Sequence, residues 1–223
     1  MRLLVLGDIH LEHVTLSRAL DAFAPSCDQV FSVGDIMDGV GGAQAAHETI
    51  RVLRTRGVQC IAGNHDRWLL MGASRGASEA IPRECLTGDE IEWLATLPRF
   101  RTLDTPAGRA IVAHGFCLDD FHWIEADSPS YAATGHPEWK RLRAGGFALH
   151  IGGHTHRPYV RWIGDPDPDG DPAPPYAGAT FVNAGTLHRD HRPCICMIDT
   201  SRCTVAWHTF DGERFTAPRV VGW

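Results

Sequence analysis

The sequence predicts an α/β protein whose functional groups gather along one edge of a sheet. Three observations carry that expectation. Arg2 to Leu6, Gln29 to Val33 and Val58 to Ala62 are short apolar runs without polar alternation, as strands covered on both faces read. Each run leads into polar residues: Asp8-Ile9-His10, Gly34-Asp35-Ile36-Met37-Asp38-Gly39 and Gly63-Asn64-His65-Asp66. Between them lie stripes at helical spacing, first Leu16, Leu20 and Phe23, then Ala43, Ala46, Ile50 and Leu53. Strand, polar tip and helix in repeated succession mean neighbouring strands whose carboxyl ends collect ligands.

The remaining elements extend the pattern. Thr87 and Glu90 form a capping box ahead of Ile91, Trp93, Leu94 and Leu97. Phe100 to Leu103 and Ala110 to Ala113 read as paired strands around Pro106-Ala107-Gly108, the second ending in His114-Gly115. The stretch 116–146 is irregular and rich in Trp, Asp and His, with a short helix expected near Glu138 to Leu142. It is the candidate cap or substrate loop of a single domain spanning 1–223. Phe147 to Ile151 is a further strand and runs into Gly152-Gly153-His154-Thr155-His156. Tyr159 to Ile163 and Thr180 to Val182 flank a Pro-rich loop, and the second ends at Asn183-Ala184-Gly185-Thr186. Ile195 to Asp199 and Thr204 to Phe210 read as a closing hairpin. Asp165 to Gly170 matches the opening spacing of a calcium-binding loop, but Tyr176 stands where that loop needs a bidentate Glu, so a solvated connection is expected.

Composition narrows the function classes. A net charge of −6 gives no electrostatic reason for stable docking on nucleic acid or an anionic membrane. No run is long and apolar enough to span a bilayer, and the apolar start ends too soon, in Gly-Asp-Ile-His, to read as a signal peptide. Seven scattered cysteines, an odd number, suit a reduced, cytoplasmic interior better than a disulfide framework.

Five strand ends thus carry Asp8 and His10, Asp35, Asn64 and His65, His114, and His154 and His156. Strand tips of one sheet converge, and carboxylates and imidazoles crowded there without partners are costly to desolvate. A divalent cation removes that cost. Asp, His and Asn together suit Mn²⁺, Fe²⁺ or Zn²⁺ rather than a thiolate zinc site, and the donors suffice for two ions.

Taken as an ordered set, Asp8-x-His10, Gly34-Asp35-x-x-Asp38, Gly63-Asn64-His65-Asp66, His114-Gly115 and Gly152-Gly153-His154-Thr155-His156 resemble the calcineurin-like metallophosphoesterase superfamily. Asn183-Ala184-Gly185-Thr186 is similar to the Asn-x-Gly-Ser segment of bacterial members. The resemblance implies a four-layer sandwich, two mixed β-sheets flanked by helices. It implies two divalent ions, Mn²⁺ foremost, with Fe, Zn, Ni or Mg as alternatives. Asp8, His10, Asp35 and His156 would hold the first, Asn64, His114 and His154 the second, and Asp35 would bridge. The implied reaction is hydrolysis of phosphate mono- or diesters of a small metabolite or nucleotide, by in-line attack of a hydroxide shared between the ions. His65 is the candidate acid for the leaving group, with Asp66 expected to orient it. Arg67, His122 and Asn64 are the candidate substrate contacts. Gly39 and Asp66 stand where protein phosphatases of the superfamily carry Arg and Glu, which turns the expectation away from phosphoproteins. The alternatives are a dinucleoside polyphosphate hydrolase, a protein phosphatase, and a noncatalytic scaffold of the same fold.

Overall fold

The first strand, β1 (Arg2–Leu6), shows how the layers arise. Leu3, Leu4, Val5 and Leu6 are all fully buried, so both faces of the strand are covered. Because alternate side chains leave opposite faces, Leu3 and Val5 enter one core and Leu4 and Leu6 another. The computed structural model describes residues 1–73, 79–164 and 178–223. The calcium-loop look-alike at 165–176 lies outside the described residues.

β1 pairs in parallel with β2 (Gln29–Ser32), which pairs in parallel with β3 (Gln59–Cys60). On its other side β1 runs antiparallel to β9 (Cys194–Asp199), followed by β10 (Thr204–Thr209) and β11 (Arg219–Gly222). The resulting six-stranded sheet has the order β11-β10-β9-β1-β2-β3. The second sheet has the order β4-β5-β6-β8-β7, from β4 (Phe100–Thr105), β5 (Gly108–Ala113), β6 (Phe147–Gly152), β7 (Tyr159–Gly164) and β8 (Gly178–Asn183). Both sheets are mixed.

Leu3, Val5, Phe31, Val112, Ile151 and Val182 are among the residues that fill the space between the sheets. Leu4 and Leu6 pack with Leu16 and Leu20 of α1 (His13–Phe23) and Ile50 and Leu53 of α2 (Gly42–Thr55). On the outer face of the second sheet, Ile111 and Phe181 meet Phe116, Trp139 and Leu142, the last two from α6 (Pro137–Ala144). A shorter helix, α5 (Ser130–Thr134), precedes it. Helices, sheet, sheet and helices give the four-layer α/β arrangement. Thr87 caps α4 (Gly88–Thr96) by accepting from the Glu90 amide, and Glu90 returns a bond to the Thr87 amide.

Two elements depart from the sequence expectation. The third apolar run yields only a two-residue strand, and the polar tip that follows forms the first turn of helix α3 (Asn64–Met71). β11 lies beyond the expected closing hairpin; it is a four-residue edge strand exposed at three positions, and its Val220-Val221 pair is too short a pattern to mark a strand. All seven cysteines are free. Among the described residues no helix is long and apolar enough to cross a membrane.

His150 interrupts the apolar run of β6 and is fully buried, its ring stacked on Phe181 at 5.3 Å. Its Nε2 accepts the Cys117 amide at 3.0 Å, and burial pushes its pKa down to about 3. An unfolded His titrates near pH 6.5, so below that pH the unfolded chain takes up a proton that the folded chain refuses. Stability therefore falls on acidification between pH ~6.5 and ~3. A His150→Gln variant lacks this slope. Urea unfolding at pH 7 and pH 5 is expected to show the wild type losing about 2 kcal/mol more than the variant; parallel pH dependence would contradict this account.

Candidate metal centre

The carboxyl ends of both sheets meet at one rim and are tied there by backbone bonds. The Ile9 and His10 amides both donate to the Asp35 carbonyl at 2.9 Å, joining the tips of β1 and β2. Asp8 bridges to Thr186 beyond β8, whose hydroxyl donates to the Asp8 carbonyl at 2.7 Å. Asn183, fully buried, donates to the Gly153 carbonyl and to Thr155 Oγ1, and so braces the turn bearing His154 and His156. Backbone approaches are close. A Cβ on Gly63 would sit 2.2 Å from Asp35 Oδ1, and one on Gly153 would sit 2.5 Å from Asp8 Oδ2.

The same rim concentrates unusual backbone conformation. His10, Leu11, Asp35, Asp38, His154 and His156 all have positive φ, between 46° and 71°. For residues with a Cβ each such angle costs of order 1 kcal/mol or more, and such outliers cluster at functional sites.

Two groups of donors result. Asp8, His10 and His156 have ligand atoms within 4.8 Å of one another, and so do Asp35, His114 and His154. His10 Nε2 lies 3.1 Å from His156 Nε2, and His114 Nε2 lies 3.2 Å from His154 Nδ1. One end of the Asn64 carboxamide is 2.9 Å from His114 Nε2 and 3.0 Å from His154 Nδ1. Asp35 Oδ2 stands between the groups, 3.2 Å from His114 Nε2 and 4.0 Å from His10 Nε2.

The other ring nitrogens settle which atoms face inward. His114 Nδ1 donates to the Val33 carbonyl at 2.8 Å and His10 Nδ1 to the Asp38 carbonyl at 2.7 Å. Such outward bonds leave Nε2 as the inward donor atom and fix ring orientation. Ring nitrogens facing one another at 3.1–3.2 Å, with carboxylates alongside, are a donor set that fits two cations.

Electrostatics point the same way. Burial pushes the His10 pKa down to about 4 and that of His156 to about 2, so both rings are neutral, the form that ligates. Burial disfavours imidazolium at His114 too, yet Asp35 and Asp8 hold it up to about 10. Burial raises Asp8 to about 7. Asp35 is driven upward by burial as well, but His114 and His10 hold it well below the usual carboxylate range. Buried carboxylates and imidazoles here offset one another, helped by the His65 amide on Asp35 and the His154 amide on Asp8.

The calcineurin-like phosphoesterase superfamily domain matches residues 1–202 of the chain. The chain belongs to that superfamily. Membership makes it a metal-dependent phosphoesterase, of a family that uses two metal ions and acts on small phosphorylated substrates. Solved structures share the fold. A hypothetical protein from Pyrococcus horikoshii OT3 aligns at 17% identity and TM-score 0.67, over 95% of this chain and 89% of its own. Zinc-bound Vps29 from Entamoeba histolytica aligns at 18% identity and TM-score 0.55, over 99% and 98%. A novel archaeal phosphodiesterase aligns at 14% identity and TM-score 0.53, over 94% and 100%. None of the curated proteins compared matches the sequence.

Within this phosphoesterase the role expected of Asp66 needs correction. The carboxylate against the His65 ring is Asp38, whose Oδ2 lies 2.9 Å from His65 Nδ1. Asp66 is fully buried and accepts the amides of Gly63, Ile36 and Met37 at 2.9–3.0 Å. It holds two loops together at the start of α3, and a neighbour in sequence on that first turn is the wrong place for a partner of His65. Burial opposes imidazolium at His65, but the bond to Asp38 and the nearby Asp35 raise its pKa above the ordinary value.

The expected substrate contacts also divide. Arg67 makes a bidentate pair with Asp120 at 2.7 and 2.9 Å, which engages its guanidinium within the protein. His122 stacks on His136 at 4.3 Å and lies against Phe116, with no ring contact to the candidate ligands among the described residues. Its neighbour Phe121 is the one beside the site, 5.7 Å from the His154 ring. Asn64 is buried among the ligand candidates rather than on an open wall. His188 and His191, beyond β8, place their rings 5.1 Å from His10 and 4.4 Å from His156, and His188 forms a third donor group with Glu79 and Asp190.

Proposed function

We propose that this phosphoesterase hydrolyses mono- or diesters of a small phosphorylated metabolite or nucleotide at two divalent ions, Mn²⁺ foremost. Asp8, His10, Asp35 and His156 would hold one ion, and Asp35, Asn64, His114 and His154 the other. The observation that carries this is the pair of donor groups with Asp35 Oδ2 between them. When bound, such a pair of ions supplies charge to the phosphoryl oxygens and an acidified water for in-line attack.

The chain's own residues do the rest. Asp35 neutralises charge at the centre and accepts the His65 amide at 2.9 Å through Oδ1, which fixes the start of α3 relative to the ligands. His65 is partly exposed, at 22% of its side chain, and abuts His10 at 5.1 Å. It can deliver a proton to the departing ester oxygen while Asp38 stabilises the imidazolium. Buried Asp66 and Asn183 keep the loops rigid. The engagement of Arg67 by Asp120 favours diesters, which carry less charge than monoesters and need fewer free cations.

Hydrolysis of bis-para-nitrophenyl phosphate and para-nitrophenyl phosphate in Mn²⁺, with and without chelator, tests the reading. Turnover is expected with Mn²⁺, at least about 10²-fold above the chelated sample, and faster on the diester. Failure on both esters with Mn²⁺, Ni²⁺, Zn²⁺ and Mg²⁺ would refute it.

A further inference from the structure

Between His65 and His154 the rim carries two aromatic rings. Trp68, one turn after His65 on α3, has its ring 5.1 Å from the His65 ring. Phe121 lies 5.6 Å from Trp68 and 5.7 Å from His154. Phe121 is 62% exposed. A lone exposed Phe needs no explanation, but this one adjoins a cluster of buried polar groups and is fixed there by its neighbours.

The fixing is explicit. Asp119 Oδ1 accepts the Phe121 amide at 3.1 Å, and Asp120 is gripped by Arg67 of α3 through two bonds. Arg99 reaches the Leu118 carbonyl and stands 3.9 Å from Asp120. The loop is therefore anchored to the helix that carries Trp68, and the Arg67 guanidinium lies 6.0 Å from the Trp68 ring. Two cations that could have served an anionic substrate arm are instead spent on holding an aromatic pair beside the acid.

We propose that the exposed Phe121 ring, backed by Trp68 at 5.6 Å and 57°, offers a stacking face to a planar ring on the leaving arm, so that the preferred esters carry a nucleobase or a comparable heteroaromatic. This rests on the phosphoesterase reading above, in which the leaving oxygen departs on the His65 side. Trp68 and Phe121 adjoin that side, and every base offers a flat face for aromatic stacking. Because the contact is to the face of the base, it discriminates base from no base more than one base from another.

Isothermal titration of the Mn²⁺-loaded protein with adenosine 5′-monophosphate and with ribose 5-phosphate tests the stacking site, since the sugar phosphate carries a hydroxyl where the nucleotide carries adenine. The nucleotide is expected to bind at least about tenfold tighter, the range of stacking on one or two rings. Phe121→Ala and Phe121→Leu are expected to bring the ratio close to one, while Phe121→Tyr keeps it; Trp68→Leu gives an independent second variant. Equal affinities in the wild type, or a ratio unmoved by Phe121→Ala and Trp68→Leu, would overturn the proposal. The nitrophenyl assays separate the two readings. A protein that hydrolyses them but binds both ligands equally loses only the stacking site, and one that prefers the nucleotide but hydrolyses neither keeps the stacking face and loses the phosphoesterase reading together with the leaving-arm assignment.

Discussion

Replacing Asp35 with Asn is expected to abolish turnover, by at least about 10³-fold, and to lower bound metal from two ions per chain to one or none. The reason is position. Asp35 Oδ2 is the carboxylate oxygen between the two donor groups, 3.2 Å from His114 Nε2 and 4.0 Å from His10 Nε2. Two cations about 3.5–4 Å apart repel strongly unless a shared anion lies between them. Asparagine keeps an oxygen for the His65 amide but removes the charge, and its NH₂ then confronts a ring nitrogen. Elemental analysis alongside bis-para-nitrophenyl phosphate hydrolysis reads both effects. A variant that retains two ions would remove Asp35 from the bridging place.

The His65→Asn variant should behave differently. It is expected to keep both ions and to lose about 10²–10⁴-fold on esters with alkyl leaving groups. Loss on para-nitrophenyl esters should be much smaller, since nitrophenolate leaves without a proton. Asp38→Asn should show the same pattern more weakly, because it leaves the imidazole in place and only weakens the 2.9 Å bond that sustains its charge. Metal loss in His65→Asn equal to that in Asp35→Asn would sink the assignment. So would uniform loss across leaving groups.

The contrast between these residues also marks what the sequence could reveal. Asp8, His10, Asp35, Asn64, His114, His154 and His156 are legible because each follows an apolar strand, and strand ends of a parallel arrangement converge. The structure brings all of them to one rim. The layers are legible for the same reason, since β1, β5 and β6 are apolar at nearly every position. Partnerships between loops are not legible. Asp38 reaches His65 from 27 residues away out of a left-handed backbone, and nothing local distinguishes it from Asp66. Likewise the sequence placed His122 at the substrate, whereas Phe121 occupies the rim. A difference of one residue in an irregular loop has no periodicity to reveal it. Edge strand β11 escaped because two valines in four residues are too short a pattern to mark a strand.

The left-handed angles at His10, Asp35, Asp38, His154 and His156 have a consequence for what substitution at the rim does. At such positions glycine is the residue that relieves local strain, by roughly 1 kcal/mol apiece. Glycine at His10, His154 or His156 would therefore relax the local backbone while removing a candidate metal ligand. The candidate ligands His10, Asp35, His154 and His156 thus sit where the backbone by itself favours glycine, so the site is held at a cost in local stability.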